Sequence, residues 1–141
     1  MIFVLDSSVA AKWVLPEIDT DKALRVRNAY QHGTHDLLAP DFFPYEVANV
    51  FTKAERQKKL TPPSGWAGWR TVMADAPRLI YPAHLMPRAY SISSQYGSAI
   101  FDCLYVALAE EEHCQFLTAD QRVVANLQDH FPFVRALSSM P

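Results

Sequence analysis

The sequence predicts an α/β fold of three layers, in which helices cover both faces of a central, mostly parallel sheet of four to five strands. Short apolar runs typical of strands buried on both faces alternate with longer segments of helical periodicity. The first run is IFVL at residues 2–5, and neither an internal repeat nor a linker interrupts the alternation. At 141 residues, we expect a single domain over 1–141 with one core.

The predicted strands are short apolar runs with recognisable ends. IFVL ends at Asp6, the run DLLAP ends at Pro40, and QFLTAD ends in an acid. We expect FPFVRAL to add an edge strand near the C-terminus. In chain order, the predicted strands are 2–5, 36–40, 78–82, 115–120 and 131–137.

The predicted helices fill the intervals between these strands. Ser7 or Ser8 can cap the first helix, Pro16 stops it, and Gly97 ends the fifth. The sixth is apolar nearly all round, so we expect it to lie centrally. In chain order, the predicted helices are 7–15, 19–31, 41–60, 61–76, 84–97, 98–114 and 121–130.

Composition limits the function classes. The net charge of −2 argues against a protein that grips long nucleic acid through an electrostatic stripe, but it does not exclude a nuclease. No apolar run approaches the roughly 18 residues of a membrane span, so we expect no membrane segment. Cys103 and Cys114 form no CxxC motif, which favours two buried thiols in a reducing cytoplasm, and the neighbouring His113 is not expected to complete a zinc site.

One aspartate stands out in the central helix. Between residues 99 and 109, Asp102 is the only charged side chain among ten uncharged residues. An ionised carboxylate in apolar surroundings costs several kcal/mol unless something compensates it. We therefore expect a compensating group beside Asp102.

Three further acids occupy related positions. Asp6 and Asp120 follow predicted strands, where ligands bind in parallel sheets, and Glu46 lies at the margin of an apolar helical stripe. If these acids converge with Asp102, the carboxylates repel one another unless a cation joins them. Oxygen ligands without a His or Cys cluster favour Mg²⁺ or Mn²⁺. Such a site supports hydrolysis of a phosphodiester, because a bound ion activates water and stabilises the phosphate and the leaving oxygen.

Each acid also has a structural interpretation. Taken alone, Asp120 is best explained as the N-cap of the last helix, and Asp6 can equally cap the first. Glu46 can be a partly exposed acid at the edge of its stripe. The helix dipole near Asp102 contributes typically no more than about 1 kcal/mol, so the functional interpretation leads there.

Four stretches resemble the successive signatures of PIN-domain ribonucleases, especially the VapC toxins of toxin–antitoxin pairs. They are VLDSSVAAKWVLPE, DLLAPDFFPYEVANVFTKA, SAIFDCLYVALAE and FLTADQRV, and the resemblance runs from residue 2 to about 128. It implies that an acidic quartet binds Mg²⁺ or Mn²⁺ and cleaves single-stranded or loop RNA, as the toxin of a type II system. FDC replaces the commoner YDA, which keeps an aromatic residue and the acid. The quartet implied by the resemblance is Asp6, Glu46, Asp102 and Asp120.

The resemblance also implies supporting residues and partners. Ser8 matches a small polar residue near the metal and Thr118 matches the threonine of the TAD motif, although both can equally serve local backbone hydrogen bonds. A homodimer and a cognate antitoxin are expected. The apolar candidates for the antitoxin surface are Trp13, Trp66 and Trp69, which can instead be core residues. The candidates for RNA contact are Lys12, Lys53, Arg56, Lys58, Lys59 and Arg122.

Two other functions compete with the nuclease. A catalytically silent PIN-like module would bind RNA or protein only, and the presence of all four acids counts against it. A phosphoacceptor signalling domain needs a second acid beside Asp6, where Ser7 and Ser8 stand instead.

Overall fold

A five-stranded, all-parallel sheet forms the middle layer of the computed structural model, which describes residues 1–141. The strands are β1 (Ile2–Leu5), β2 (Asp36–Pro40), β3 (Arg78–Ile80), β4 (Gln115–Thr118) and β5 (Val134–Ala136). They pair in the order β3-β2-β1-β4-β5. The three-layer α/β prediction is confirmed, and the last strand lies at an edge as expected.

Seven helices connect and cover these strands. They are α1 (Ser7–Ala11), α2 (Thr20–Gln31), α3 (Phe43–Arg56), α4 (Ser64–Ala74), α5 (Met86–Tyr96), α6 (Ile100–Glu111) and α7 (Gln121–Leu127). Short 3₁₀ turns occupy Ala83–Leu85 and Leu137–Ser139. None of the helices combines the length and apolar character needed to cross a bilayer.

The order in which strands are added to the sheet reverses at β1. The chain adds β2 and β3 on one side of β1, then returns to add β4 and β5 on the other. Leu5 pairs with Leu117, and the Asp6 amide donates a hydrogen bond to the Leu117 carbonyl at 3.0 Å. The carboxyl ends of β1 and β4 therefore meet at the reversal point, where ligands bind in open parallel sheets.

Helix α6 lies at the centre of the core, as its all-round apolar sequence predicts. Residues 103–109 are all buried, and they belong to one cluster of 36 buried residues that also includes residues of β1, β2, β4 and β5. Gly97 ends α5 in the left-handed conformation at φ +73°, which confirms the predicted stop. Asp102 remains partly exposed in the first turn of α6.

The first helix begins at Ser7, as predicted. Asp6, the alternative cap, occupies the N-cap position in place of Ser7 or Ser8, because its backbone is extended while Ser7 is already helical, but its side chain makes no capping hydrogen bond. The helix ends at Ala11, short of the predicted 15. The following turn carries Trp13 into the core, where its indole N–H donates to the Ala23 carbonyl at 3.0 Å.

Other boundaries shift by a few residues. α3 ends at Arg56 and not at 60, and Lys58 beyond it adopts a left-handed φ of 60° that ends helical geometry. β3 ends at Ile80, two residues before the predicted end. The remaining helices are shorter than predicted because the predicted segments include the capping and turn residues at their ends.

Candidate metal and active site

The fold brings the four predicted acids to one cleft of about 740 Å³. Asp6 directly follows β1, and Asp120 lies two residues beyond β4 on the neighbouring strand. Glu46 stands in the first turn of α3 and Asp102 in the first turn of α6. All four side chains line the cleft, so residues 114 positions apart in sequence share one surface.

Asp6 is buried and held by two hydroxyl groups. The Thr118 hydroxyl donates to Asp6 Oδ2 at 2.6 Å, and the Ser8 hydroxyl donates to the same oxygen at 2.9 Å. Oδ1 receives only a long contact of 3.4 Å from Ser7. Burial raises the pKa of Asp6, the two hydroxyl bonds oppose that rise, and the charge of Asp120 adds to it. One carboxylate oxygen is thus fixed while the other is nearly free to accept a cation.

Ser8 and Thr118 each connect Asp6 to the backbone after β4. The Ala119 amide donates to the Ser8 hydroxyl and the Asp120 amide to the Thr118 hydroxyl, both at 3.0 Å. Thr118 therefore satisfies a local amide and also orients the Asp6 carboxylate, so both interpretations apply to it, whereas the amide bonded to Ser8 is distant in sequence. Because Thr118 is fully buried, its hydroxyl has little freedom to leave this arrangement.

Glu46 is partly buried and accepts a hydrogen bond from a residue that sequence reasoning missed. The Tyr105 hydroxyl donates to Glu46 Oε1 at 2.8 Å. Burial raises the pKa of Glu46 to about 7; the Tyr105 bond opposes the rise, while Asp6 and Asp102 add to it. Tyr105 lies three residues after Asp102 on the same face of α6, a spacing that could have indicated it.

Asp102 and Asp120 also line the cleft. Burial raises the pKa of Asp102 to about 6, with contributions from the charges of Asp6 and Asp120 and an opposing one from Arg122. Asp120 also caps α7, because its Oδ1 accepts the Arg122 amide at 2.9 Å. The N-cap interpretation of Asp120 is confirmed, and its carboxylate lines the cleft as well.

The donor set fits a hard divalent cation that keeps part of its water shell. Four carboxylates share the cleft, and burial holds the pKa values of Asp6, Glu46 and Asp102 above their ordinary values, as expected where uncompensated anions crowd together. No three of the chain's His, Cys, Asp and Glu side chains are arranged to ligate one ion together. Mg²⁺ usually takes one or two carboxylates and completes its octahedron with water and substrate phosphate.

The cleft also carries three basic and three aromatic side chains, together with a fifth acid, Glu17. Of the predicted RNA contacts, Lys53, Lys59 and Arg122 line it. Lys12 does not line the cleft, and it pairs at 3.8 Å with Glu17, which does. Arg56 and Lys58 are exposed and lie between Lys53 and Lys59 in sequence, but they do not line the cleft. The aromatic lining residues are Phe42, Tyr45 and Phe101.

The three tryptophans separate into different environments. Trp13 is a core residue, so its assignment to an exposed surface is wrong. Trp66 is 62% exposed and stacks on Trp69 with ring centroids 5.1 Å apart. The Trp69 indole N–H donates to the Pro44 carbonyl at 2.9 Å, which fixes the partly buried member of the pair.

Comparisons with known proteins agree with this architecture. The PIN domain family model matches residues 3–127. Ribonuclease VapC3 of Pyrobaculum aerophilum is 29% identical over 140 residues, covering 94% of this chain and 96% of that protein. The crystal structure of PAE2754 from Pyrobaculum aerophilum has a TM-score of 0.71 and 15% identity, covering 99% of this chain and 94% of the other, a likeness in fold. Because the family model spans most of the chain, this protein belongs to the PIN-domain family.

Proposed function

We propose that this protein is a divalent-metal-dependent endoribonuclease that hydrolyses RNA phosphodiester bonds, and that it is the toxin of a type II toxin–antitoxin pair. The observation that carries the proposal is the convergence of Asp6, Glu46, Asp102 and Asp120 on one cleft beside two lysines. The similarity to Ribonuclease VapC3 supports the same activity. Membership of the PIN-domain family supports the cofactor, Mg²⁺ or Mn²⁺.

One or two of the four carboxylates would bind the metal directly and the others would contact its water ligands, while the hydroxyl groups around Asp6 would orient its free oxygen. When bound, the ion would lower the pKa of water to give the nucleophile and neutralise charge on the phosphate. Ser8 and Thr118 keep Asp6 in one rotamer, and Tyr105 does the same for Glu46. Positioned ligands of this kind lose little entropy when a cation arrives.

The basic side chains of the cleft would position the RNA backbone. Lys53 and Lys59 lack an acidic partner within ion-pair distance, so their charges are available to phosphates. Arg122 is 93% exposed and makes only a long 3.4 Å contact to Asp120, so it can turn toward a phosphate at little cost.

The alternative is a catalytically silent PIN-like module that binds RNA or protein. Such a module has no need for four mutually repelling carboxylates, two of which have pKa values raised to about 7 and about 6. Without a bound cation, these carboxylates destabilise the folded state, and a silent module would have no catalytic function that requires them. The observed cluster therefore favours the enzyme.

Partners follow from the resemblance to VapC toxins. We propose that the chain acts as one domain, forms a homodimer and is inhibited by a cognate antitoxin. Trp66, exposed on α4 and stacked on Trp69, is the aromatic contact we assign to the antitoxin. Light scattering of the purified protein tests the dimer, and a monomer at every concentration would contradict it.

Cleavage of a structured RNA pool tests the nuclease proposal. The parent protein should cut RNA in the presence of Mg²⁺ or Mn²⁺, and EDTA should abolish the cleavage. Asp102→Asn should lower the cleavage rate at least about 100-fold. Asp129→Asn is the matched control because Asp129 is exposed and lies outside the cleft. If Asp102→Asn cuts as well as Asp129→Asn, the site assignment is wrong, and if the metal-loaded parent does not cut, the silent module is favoured.

A further inference from the structure

Two aromatic side chains are unusually exposed inside the candidate active-site cleft. Phe101 is 52% exposed and Tyr45 is 76% exposed, and both line the cavity that holds the four carboxylates. The exposed part of each ring gains nothing from folding, and apolar surface exposed in a cleft often marks a binding site. Neither ring is required by the arrangement of the acids.

The ring of Phe101 is held in a defined position. It packs edge-to-face on Phe42, with centroids 5.1 Å apart and an interplanar angle of 69°. Phe42 packs in the same way on Tyr105 at 5.4 Å and 84°, and Tyr105 donates to Glu46. Phe101 also directly precedes Asp102 in the first turn of α6. Its position is therefore fixed relative to two of the four carboxylates.

The lysines of the cleft favour a nucleobase on a phosphate backbone as the occupant of this ring. Lys53 and Lys59 line the same cavity without acidic partners within ion-pair distance, so their charges are available to the phosphate groups of a bound strand. An exposed aromatic ring in a cleft that also carries unpaired lysines is a combination with which proteins hold single-stranded nucleic acid. A paired base within a helix has no free face to offer, so the base must be unpaired.

A second cavity makes the two sides of the carboxylates unequal. This cavity, of about 390 Å³, shares Asp102 and Asp120 with the main cleft, so an extended strand has room on both sides of that pair. Its only aromatic lining residue, Tyr96, is already stacked on His130 with centroids 4.3 Å apart. A free aromatic face thus exists on one side of the carboxylates only.

We propose that Phe101 stacks an unpaired base of the RNA on one side of the cleaved bond, and that Tyr45, exposed in the same cleft, also contacts the substrate. This inference rests on the proposed ribonuclease function and deepens it. Phe101 is a substrate contact and takes no part in bond breaking. Replacing Phe101 should lower kcat/KM through the contact with one base and should leave metal binding unchanged.

The test compares variants on short single-stranded RNAs, with an abasic nucleotide placed at each position around the cleaved bond. Phe101→Leu keeps the apolar packing on Phe42 but lacks a stacking face, and it should lower kcat/KM about 10-fold. Phe101→Tyr restores the face and should cut as well as the parent. Tyr81→Leu is the control, because Tyr81 is 73% exposed and lies outside the cleft.

The abasic substrates separate stacking from a general defect. One abasic position beside the cleaved bond should slow the parent by the same factor of about 10 and leave Phe101→Leu unaffected. Equal kcat/KM for the parent and Phe101→Leu would overturn the inference and assign the ring to a protein contact. An abasic penalty that persists in Phe101→Leu would overturn it as well. Failure of the parent to cut any RNA would instead overturn the proposed function and this inference with it.

Discussion

Replacing Glu46 with Gln should stabilise the metal-free protein at alkaline pH. Burial, together with the charges of Asp6 and Asp102, raises the pKa of Glu46 from 4.5 to about 7. That rise corresponds to at most about 3.4 kcal/mol against the ionised form. Glu46 is partly exposed, and solvent screening reduces the value to about 1.5 kcal/mol. Gln keeps the size of the side chain and an acceptor for the Tyr105 hydroxyl.

The sign of the pH dependence follows from the direction of the shift. The folded state holds the Glu46 proton more tightly than the unfolded state, so stability is full below about pH 4.5 and is lost as the pH rises through about 7. In urea denaturation with EDTA, Glu46→Gln should exceed the parent by about 1.5 kcal/mol at pH 8 and nearly equal it at pH 4.

Metal should reverse this order. Mn²⁺ at pH 8 should stabilise the parent by binding the folded state, while Glu46→Gln should lose most of that gain. Glu112→Gln is the control because Glu112 is exposed and makes no side-chain bond, so it should change stability by under about 0.5 kcal/mol. A Glu46→Gln protein that is no more stable than the parent at pH 8, or equally more stable at both pH values, would refute the reasoning.

Three further variants test separate contacts. Tyr105→Phe removes the bond that opposes the raised pKa of Glu46, so the acid limb of the pH–rate profile should move up by roughly half to one pH unit. Thr118→Val removes one of the two hydroxyl bonds to Asp6 Oδ2, leaves the Asp120 amide without its hydroxyl acceptor, and should cost about 1–3 kcal/mol in urea denaturation. Lys59→Ala should reduce the salt slope of single-stranded RNA binding, measured by fluorescence anisotropy, by about 0.7.

Each of these variants has a matched control. Tyr30→Phe loses a hydroxyl bond to a backbone carbonyl far from the acids, so its pH–rate profile should equal that of the parent. Thr52→Val removes an exposed hydroxyl bond on α3 and should change stability by under about 0.5 kcal/mol. Arg70→Ala removes an exposed charge outside the cleft and should leave the salt slope unchanged. A control that behaves like its partner variant would count against the corresponding contact.

The placement of the acids could be predicted because it depends on local pattern and one topological rule. Asp6 and Asp120 follow apolar strands, and parallel strands bring their carboxyl ends to one edge. The isolated Asp102 in an apolar helix indicated a compensating partner. The aromatic surface at Phe101 could not be predicted, because nothing in an apolar helical stretch shows which ring remains uncovered.

Helix α4 shows a second limit of sequence reasoning. Gly65 and Gly68 lower the intrinsic helix propensity of the segment, yet both lie in the helix. A Cβ at Gly68 would lie 3.1 Å from the Phe51 ring and 3.2 Å from Val14, so the glycine permits close packing on α3. That reason is tertiary, as is the burial of Trp13, which a turn after α1 carries inward. Helix periodicity alone predicts neither the close packing at Gly68 nor the burial of Trp13.

Direct measurement of bound Mn²⁺ tests the central claim, that the cleft lined by the four carboxylates binds a divalent metal ion. Electron paramagnetic resonance reports the free ion at pH 7.5, with a non-cleavable deoxy analogue of the RNA present to supply phosphate ligands. The parent and Asp129→Asn should bind Mn²⁺ to the same level at saturation and so lower the free Mn²⁺ signal equally. Asp6→Asn should leave that signal unchanged. Binding by Asp6→Asn that matches the parent would contradict the account.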